Sequence, residues 1–162
     1  MKWRRTYLFT KLFLTASLQE PVTNKDITAA EEQLGVTLPA DFVQLMKQSN
    51  GGYVNYDKRA FPVDFSIESG DIFIEVEEIM GILEEGLLSN TSLVEEWDLP
   101  KSLVLFSGSG HAWVGFNYEG RVIPNIVYVE PDNGDGTKFH VIAETFSEFV
   151  SKLDDPENYI EE

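Results

Sequence analysis

A chain of 162 residues without cysteine excludes a disulfide framework, a thiol nucleophile and a cysteine metal site, and its length fits one domain. Its 43% hydrophobic and 12% aromatic content is enough to bury a single core. A net charge of −16, from 12 Lys and Arg against 28 Asp and Glu, argues against nucleic acid and anionic membrane as partners and for high solubility or a basic partner.

At the amino end Lys2, Arg4 and Arg5 precede Leu8, Phe9, Leu12, Phe13 and Leu14 and imitate a secretory signal. Lys11 interrupts that apolar region, and Trp3, Tyr7, Leu8 and Leu12 suit one face of a packed helix, which is the expectation here. No stretch approaches the ~18 to 20 apolar residues of a membrane span. The stretch from Thr23 to Gly52 then predicts two helices. Thr23 is the N-cap of the first, with Asp26 as the return arm of a capping box and Val22 and Ile27 as the hydrophobic staple. Ile27, Ala30 and Leu34 form its stripe, and Gly35 stands where a left-handed terminal residue is wanted. Leu38-Pro39 restarts the chain with proline at the first helical position and Asp41 in the first turn. Phe42, Leu45 and Met46 supply the buried stripe, and Asn50-Gly51-Gly52 ends the helix with residues that reach positive φ at small cost.

From Tyr53 the pattern becomes extended: residues 53–56, 61–67 and 71–76 read as a meander. Residues 77–88 return to helical spacing, with Ile79, Ile82, Leu83 and Leu87 inward. Ser92 with Glu95 predicts a capping box for a short helix that ends before Leu99-Pro100. The continuous apolar run 103–106 reads as an interior strand, and Ser107-Gly108-Ser109-Gly110 as a turn into a strand over 111–118. Residues 125–130 and 138–142 should pair across Asp132-Asn133-Gly134-Asp135-Gly136. Thr145 with Glu148 caps a last helix whose inward face is Phe146, Phe149, Val150 and Leu153. The acidic end, 154–162, is short of apolar groups and expected to fray.

Nothing in this pattern predicts a catalytic residue, a metal or a cofactor. His111 and His140 stand far apart, and no serine occupies a nucleophile elbow. Counting from Asp132 places glycines at the third and fifth positions, where a calcium loop needs oxygen donors, so 132–136 is a hairpin turn. Residues 107–110 lack the lysine of a phosphate loop. The unusual feature is charge segregation: between Ala60 and Pro100 there is no Lys or Arg, and carboxylates recur throughout. Asp71, Glu75, Glu77, Glu78, Glu84 and Glu85 are therefore the candidate partner-binding face, with Trp113 and Phe116 as candidate aromatic anchors beside it. The alternative is that the glutamates are merely solvated and Trp113 is core.

An acidic amphipathic helix, then Leu34-Gly35 and Leu38-Pro39, then a helix ending in Asn50-Gly51-Gly52 resembles the opening of the SUKH superfamily. That superfamily includes the yeast cell-wall-assembly regulator domain and many bacterial immunity proteins. The resemblance continues through a strand and turn at 103–110, a strand at 126–130 and a closing helix with Phe146 and Phe149. Residues 111–116 are more aromatic than the polar, glycine-rich turn and strand of the family pattern. The resemblance implies a single α+β domain over 1–153, with a mostly antiparallel, curved sheet of about six strands and flanking helices. It also implies a cytoplasmic, non-enzymatic protein-binding module, most of all an immunity protein that neutralises a basic toxin domain, of nuclease or deaminase type, through an acidic surface. A regulatory scaffold of the yeast type without a toxin is the alternative, and an uncharacterised enzyme the second.

Overall fold

The first opening helix forms where its caps place it, whereas the second ends at Met46, short of the expected Asn50-Gly51-Gly52 stop. The computed structural model describes residues 11–108 and 110–160; the expected N-terminal helix falls mainly on residues outside these. Leu12 and Phe13 are buried, and Phe13 makes an isolated bridge to Val54. Helix α1 spans Asn24–Leu34. The Asp26 amide donates to Thr23 Oγ1 at 3.1 Å and the Thr23 amide to Asp26 Oδ2 at 3.0 Å, which completes the capping box. Those bonds hold the Asp26 carboxyl below its ordinary range. Gly35 ends the helix at φ 71°. Helix α2 spans Ala40–Met46, with Pro39 at the N-cap, one position earlier than expected. Asp41 fastens it across the molecule, accepting from the Ser147 amide at 2.8 Å and the Ser147 hydroxyl at 2.9 Å.

The expected sheet of about six strands is instead eight short strands in three antiparallel sheets among the described residues. Strand β1 (Gly52–Tyr53) pairs with β4 (Glu78–Ile79), and β2 (Ala60–Pro62) with β3 (Phe73–Glu75). Strands β5 (Leu103–Gly108), β6 (Trp113–Asn117), β7 (Asn125–Glu130) and β8 (Lys138–Ala143) form the main sheet in that order. The meander fragments because a 3-10 turn at Tyr56–Lys58 interrupts it and Pro62 has no amide to continue the ladder.

The helix expected over 77–88 does not form. Residues 78–79 pair as β4, and only Leu87–Ser89 make a 3-10 turn. Ile79, Ile82 and Leu87 are buried as their spacing implied, whereas Leu83 is exposed. The cause is close backbone approach at two glycines: a Cβ on Gly81 would collide with the Asn50 carbonyl, and one on Gly86 with the Gly81 carbonyl. Helix α3 spans Asn90–Glu96 with Ser89 at the N-cap, three residues ahead of the expected Ser92. The buried Asn90 amide group donates to the Leu103 carbonyl at 2.7 Å and accepts from the Leu105 amide at 2.8 Å, so contact with β5 places this helix start.

The main sheet is covered on both faces. Val104, Phe106, Val114, Phe116, Ile126 and Tyr128 face the larger core with α1, α2 and the last helix, α4 (Phe146–Ser151). Leu103, Leu105, Trp113, Val127 and Val129 face a smaller cluster closed by Val94 and Leu99. Burial on both sides explains the unalternating apolar run of β5. Thr145 caps α4, its hydroxyl accepting from the Glu148 amide at 3.0 Å. Asp154, where the acidic end begins, bridges Ala60, and the Tyr159 hydroxyl donates to Asp154 Oδ2 at 2.9 Å. Among the described residues no helix is long and apolar enough to cross a membrane.

Candidate functional site

A cavity of about 460 Å³ opens where β3 and the segments on either side of it stand across from the ends of β5, β6 and β7. One wall carries Glu68, Asp71, Glu75, Glu77 and Glu78, and the other carries His111, Tyr128 and Glu130. The described lining holds six carboxylates and no Lys or Arg. That makes the cleft a concentrated source of negative potential, strengthened where protein walls exclude water.

Glu130 is the residue on which the two walls meet. It is the last residue of β7, in phase with the buried Ile126 and Tyr128, so the period of two turns its side chain into the protein. It is 3% exposed. Its Oε2 accepts from the Glu68 amide at 2.7 Å and from the Tyr128 hydroxyl at 3.0 Å, whereas Oε1 has no partner among the described residues. The Glu68 carboxylate in turn accepts from Asn133 Nδ2 at 3.1 Å, which ties the wall to the β7–β8 hairpin. Burial, and then the Glu130 carboxylate, push the Tyr128 phenol above its ordinary range, so it stays a hydrogen-bond donor at physiological pH.

Asp71, Glu75, Glu77, Glu78 and Trp113 all border this cleft, although the first and the last lie 42 positions apart. Glu84 and Glu85 are exposed on the loop before Leu87–Ser89 and do not line it. Phe116 is fully buried against Phe42, with ring centroids 5.1 Å apart, and offers no surface anchor. Trp113 is 6% exposed, and its ring belongs to the smaller cluster. The rings bordering the cavity from its own side are those of Phe73 and Tyr128. Sequence reasoning missed Glu68, Tyr128 and Glu130; for Glu130 the available signal was a carboxylate on the inward phase of an apolar strand. His111 is exposed at the cleft, and His140 stacks on Phe65 at 3.8 Å, so the two histidines make no pair. Asp132 Oδ1 accepts from the Gly134 and Gly136 amides, both at 2.8 Å, which makes 132–136 a self-bonded turn.

Partial burial and then the neighbouring Glu77 carboxylate raise the Glu75 carboxyl above its ordinary value of 4.5, and Arg59 offsets this only in part. A folded-state pKa raised for an acid means that the charged form destabilises the fold. The penalty is fully present at neutral pH and disappears as pH falls through the raised pKa. Glu75→Gln is accordingly expected to raise the melting temperature at pH 7, and the difference from the parent should vanish by about pH 3, below the ordinary glutamate range. A pH-independent difference in thermal unfolding would contradict the repulsion.

A family model described as SMI1 / KNR4 family (SUKH-1) matches residues 21–152, a span that contains every residue lining the cleft. None of the curated proteins matches the chain.

Proposed function

Because the chain belongs to the SMI1/KNR4 family (SUKH-1), we propose that it is a non-enzymatic protein-binding module of the immunity type, which neutralises a basic toxin domain in the cytoplasm by covering it. The observation that carries this reading is the cleft with six carboxylates and no basic residue in its described lining. Repulsion among those charges is relieved when a cationic surface docks, and the same field raises the association rate. A nuclease or deaminase active site presents such a surface to its nucleic-acid substrate. Occlusion follows, because carboxylates on the walls compete for the groups that would hold phosphates.

Charge reversal separates cleft from general acidity. Glu77→Lys with Glu78→Lys alters the wall, whereas Glu84→Lys with Glu85→Lys makes the same change outside it. With a basic nuclease or deaminase domain that this protein binds as the partner, stopped-flow association of the wall variant should slow roughly tenfold or more at low salt and show a flatter salt dependence. The loop variant should change far less. Equal rates and equal salt slopes for the parent and the wall variant would remove the cleft from the mechanism.

A further inference from the structure

We propose that the cleft is built to receive one arginine side chain of a protein partner, with its guanidinium bonded to the free oxygen of Glu130. The inference rests on the protein-binding reading above and names the group that the site would recognise. It starts from an imbalance at Glu130, a carboxyl side chain 3% exposed whose Oε2 is bonded twice and whose buried Oε1 is bonded to nothing among the described residues. A buried carboxylate oxygen left in that condition costs free energy that a donor would recover. The described lining contains no Lys or Arg to supply one. Ser69, Ser107 and His111 also line the cleft, but none of them bonds Oε1, so a donor would come from outside, and the flanking carboxylates favour a cationic one.

Three features select guanidinium. No three Asp, Glu or His side chains converge as metal ligands among the described residues, so the carboxylates suit an extended organic cation better than a metal ion. Glu130 is recessed while Glu75, Glu77 and Glu78 stand along the wall, an arrangement that matches a planar fork with several donors better than the single point of an ammonium. Phe73 and Tyr128 border the same space, and a flat, weakly hydrated cation gains from lying against an aromatic ring. The cavity, about 460 Å³, is larger than a guanidinium and leaves room for the peptide that carries it.

The test needs no knowledge of the partner. Amide resonances of the whole protein are followed by NMR while N-acetyl-arginine methylamide is added, and the lysine analogue is titrated in parallel. The expected result is a saturable shift centred on the Glu68 amide, which donates to Glu130 at 2.7 Å. Arginine should bind about fivefold or more tightly than lysine, and Glu130→Gln should weaken it by a similar factor. Glu130→Gln also perturbs the bonds to Glu68 and Tyr128, so Glu77→Gln on the exposed wall serves as the second variant and should weaken arginine binding a few-fold with the fold unchanged. Shifts that never saturate, equal binding of the two analogues, or arginine binding indifferent to both substitutions would each overturn the proposal. If arginine does not bind while charge reversal at Glu77 and Glu78 still slows the partner, this inference falls and the protein-binding reading stands. The converse pattern retains the arginine site and removes that reading.

Discussion

Gly51→Val is expected to cost about 4 kcal/mol or more, at the extreme end of single-substitution effects, because two independent penalties fall on one position. Gly51 sits at φ 80°, a conformation that a β-branched residue adopts only under strain. A Cβ there would lie 2.5 Å from the Gly81 amide nitrogen and 2.8 Å from the Ile79 carbonyl oxygen, and both are backbone atoms with no rotamer to change. Asn50 locks the same contact, with its Oδ1 accepting from the Ile82 amide at 2.6 Å. The turn after α2 and the segment after β4 therefore fit only as glycine against glycine. Gly35 provides the comparison: it is also left-handed, at φ 71°, but a Cβ there would meet nothing within 4 Å. Gly35→Ala should then cost only about 1 kcal/mol, the conformational part alone. Urea unfolding of Gly51→Val, Gly51→Ala and Gly35→Ala would check this. Equal losses for Gly51→Ala and Gly35→Ala would show that the close approach carries no weight. Because Glu77 and Glu78 directly precede the pinned segment, the Gly51 variants should also loosen the acidic wall.

Local chemistry explains what the amino-acid sequence made legible. The caps of α1 and α4 and the stripe of α2 depend on residues a few positions apart, and they form as their spacing predicts. The failed helix over 77–88 has the opposite character. Its apolar spacing fits a helix, but Gly81 and Gly86 are there for contacts with Asn50 and with each other, and no local pattern announces that. The site divides in the same way. Charge segregation between Ala60 and Pro100 pointed to Asp71, Glu75, Glu77 and Glu78, which border the cleft, and equally to Glu84 and Glu85, which do not, because a lack of basic residues is visible along the chain but its geometry is not. The Glu68–Glu130 bond joins residues 62 positions apart and has no such signature. Trp113 and Phe116 were misjudged as anchors because β6 is covered on both faces, so neither phase of the strand reaches solvent.

Phe42→Ala should remove about 3–5 kcal/mol, a large share of the roughly 5–15 kcal/mol that stabilises a typical domain. Phe42 is fully buried, and its ring lies 5.1 Å from Phe116 and 5.2 Å from Phe146, both nearly edge-on, and 6.3 Å from Phe106. One side chain thus joins α2 to β5, β6 and α4, and its removal takes contacts from all of them at once. Rings that also pack on each other do not collapse readily into the space, so the cavity term should be large. For a domain of this length the loss corresponds to a fall of about 6–20 °C in melting temperature. Phe42→Leu, which keeps most of the volume, should cost about 1–2 kcal/mol, and Val122→Ala, at an exposed position, should stay within about 0.5 kcal/mol. The same variants test whether the two clusters behave as one unit. With Trp3 replaced by Phe in parent and variants alike, Trp97 and Trp113 report on the smaller cluster, on the opposite face of the sheet from Phe42. If the sheet couples its faces, tryptophan fluorescence and circular dichroism of Phe42→Ala should give coincident unfolding curves, both shifted from the parent. A fluorescence transition left at its parental midpoint while the circular dichroism midpoint fell would show that the smaller cluster holds together independently of the aromatic core.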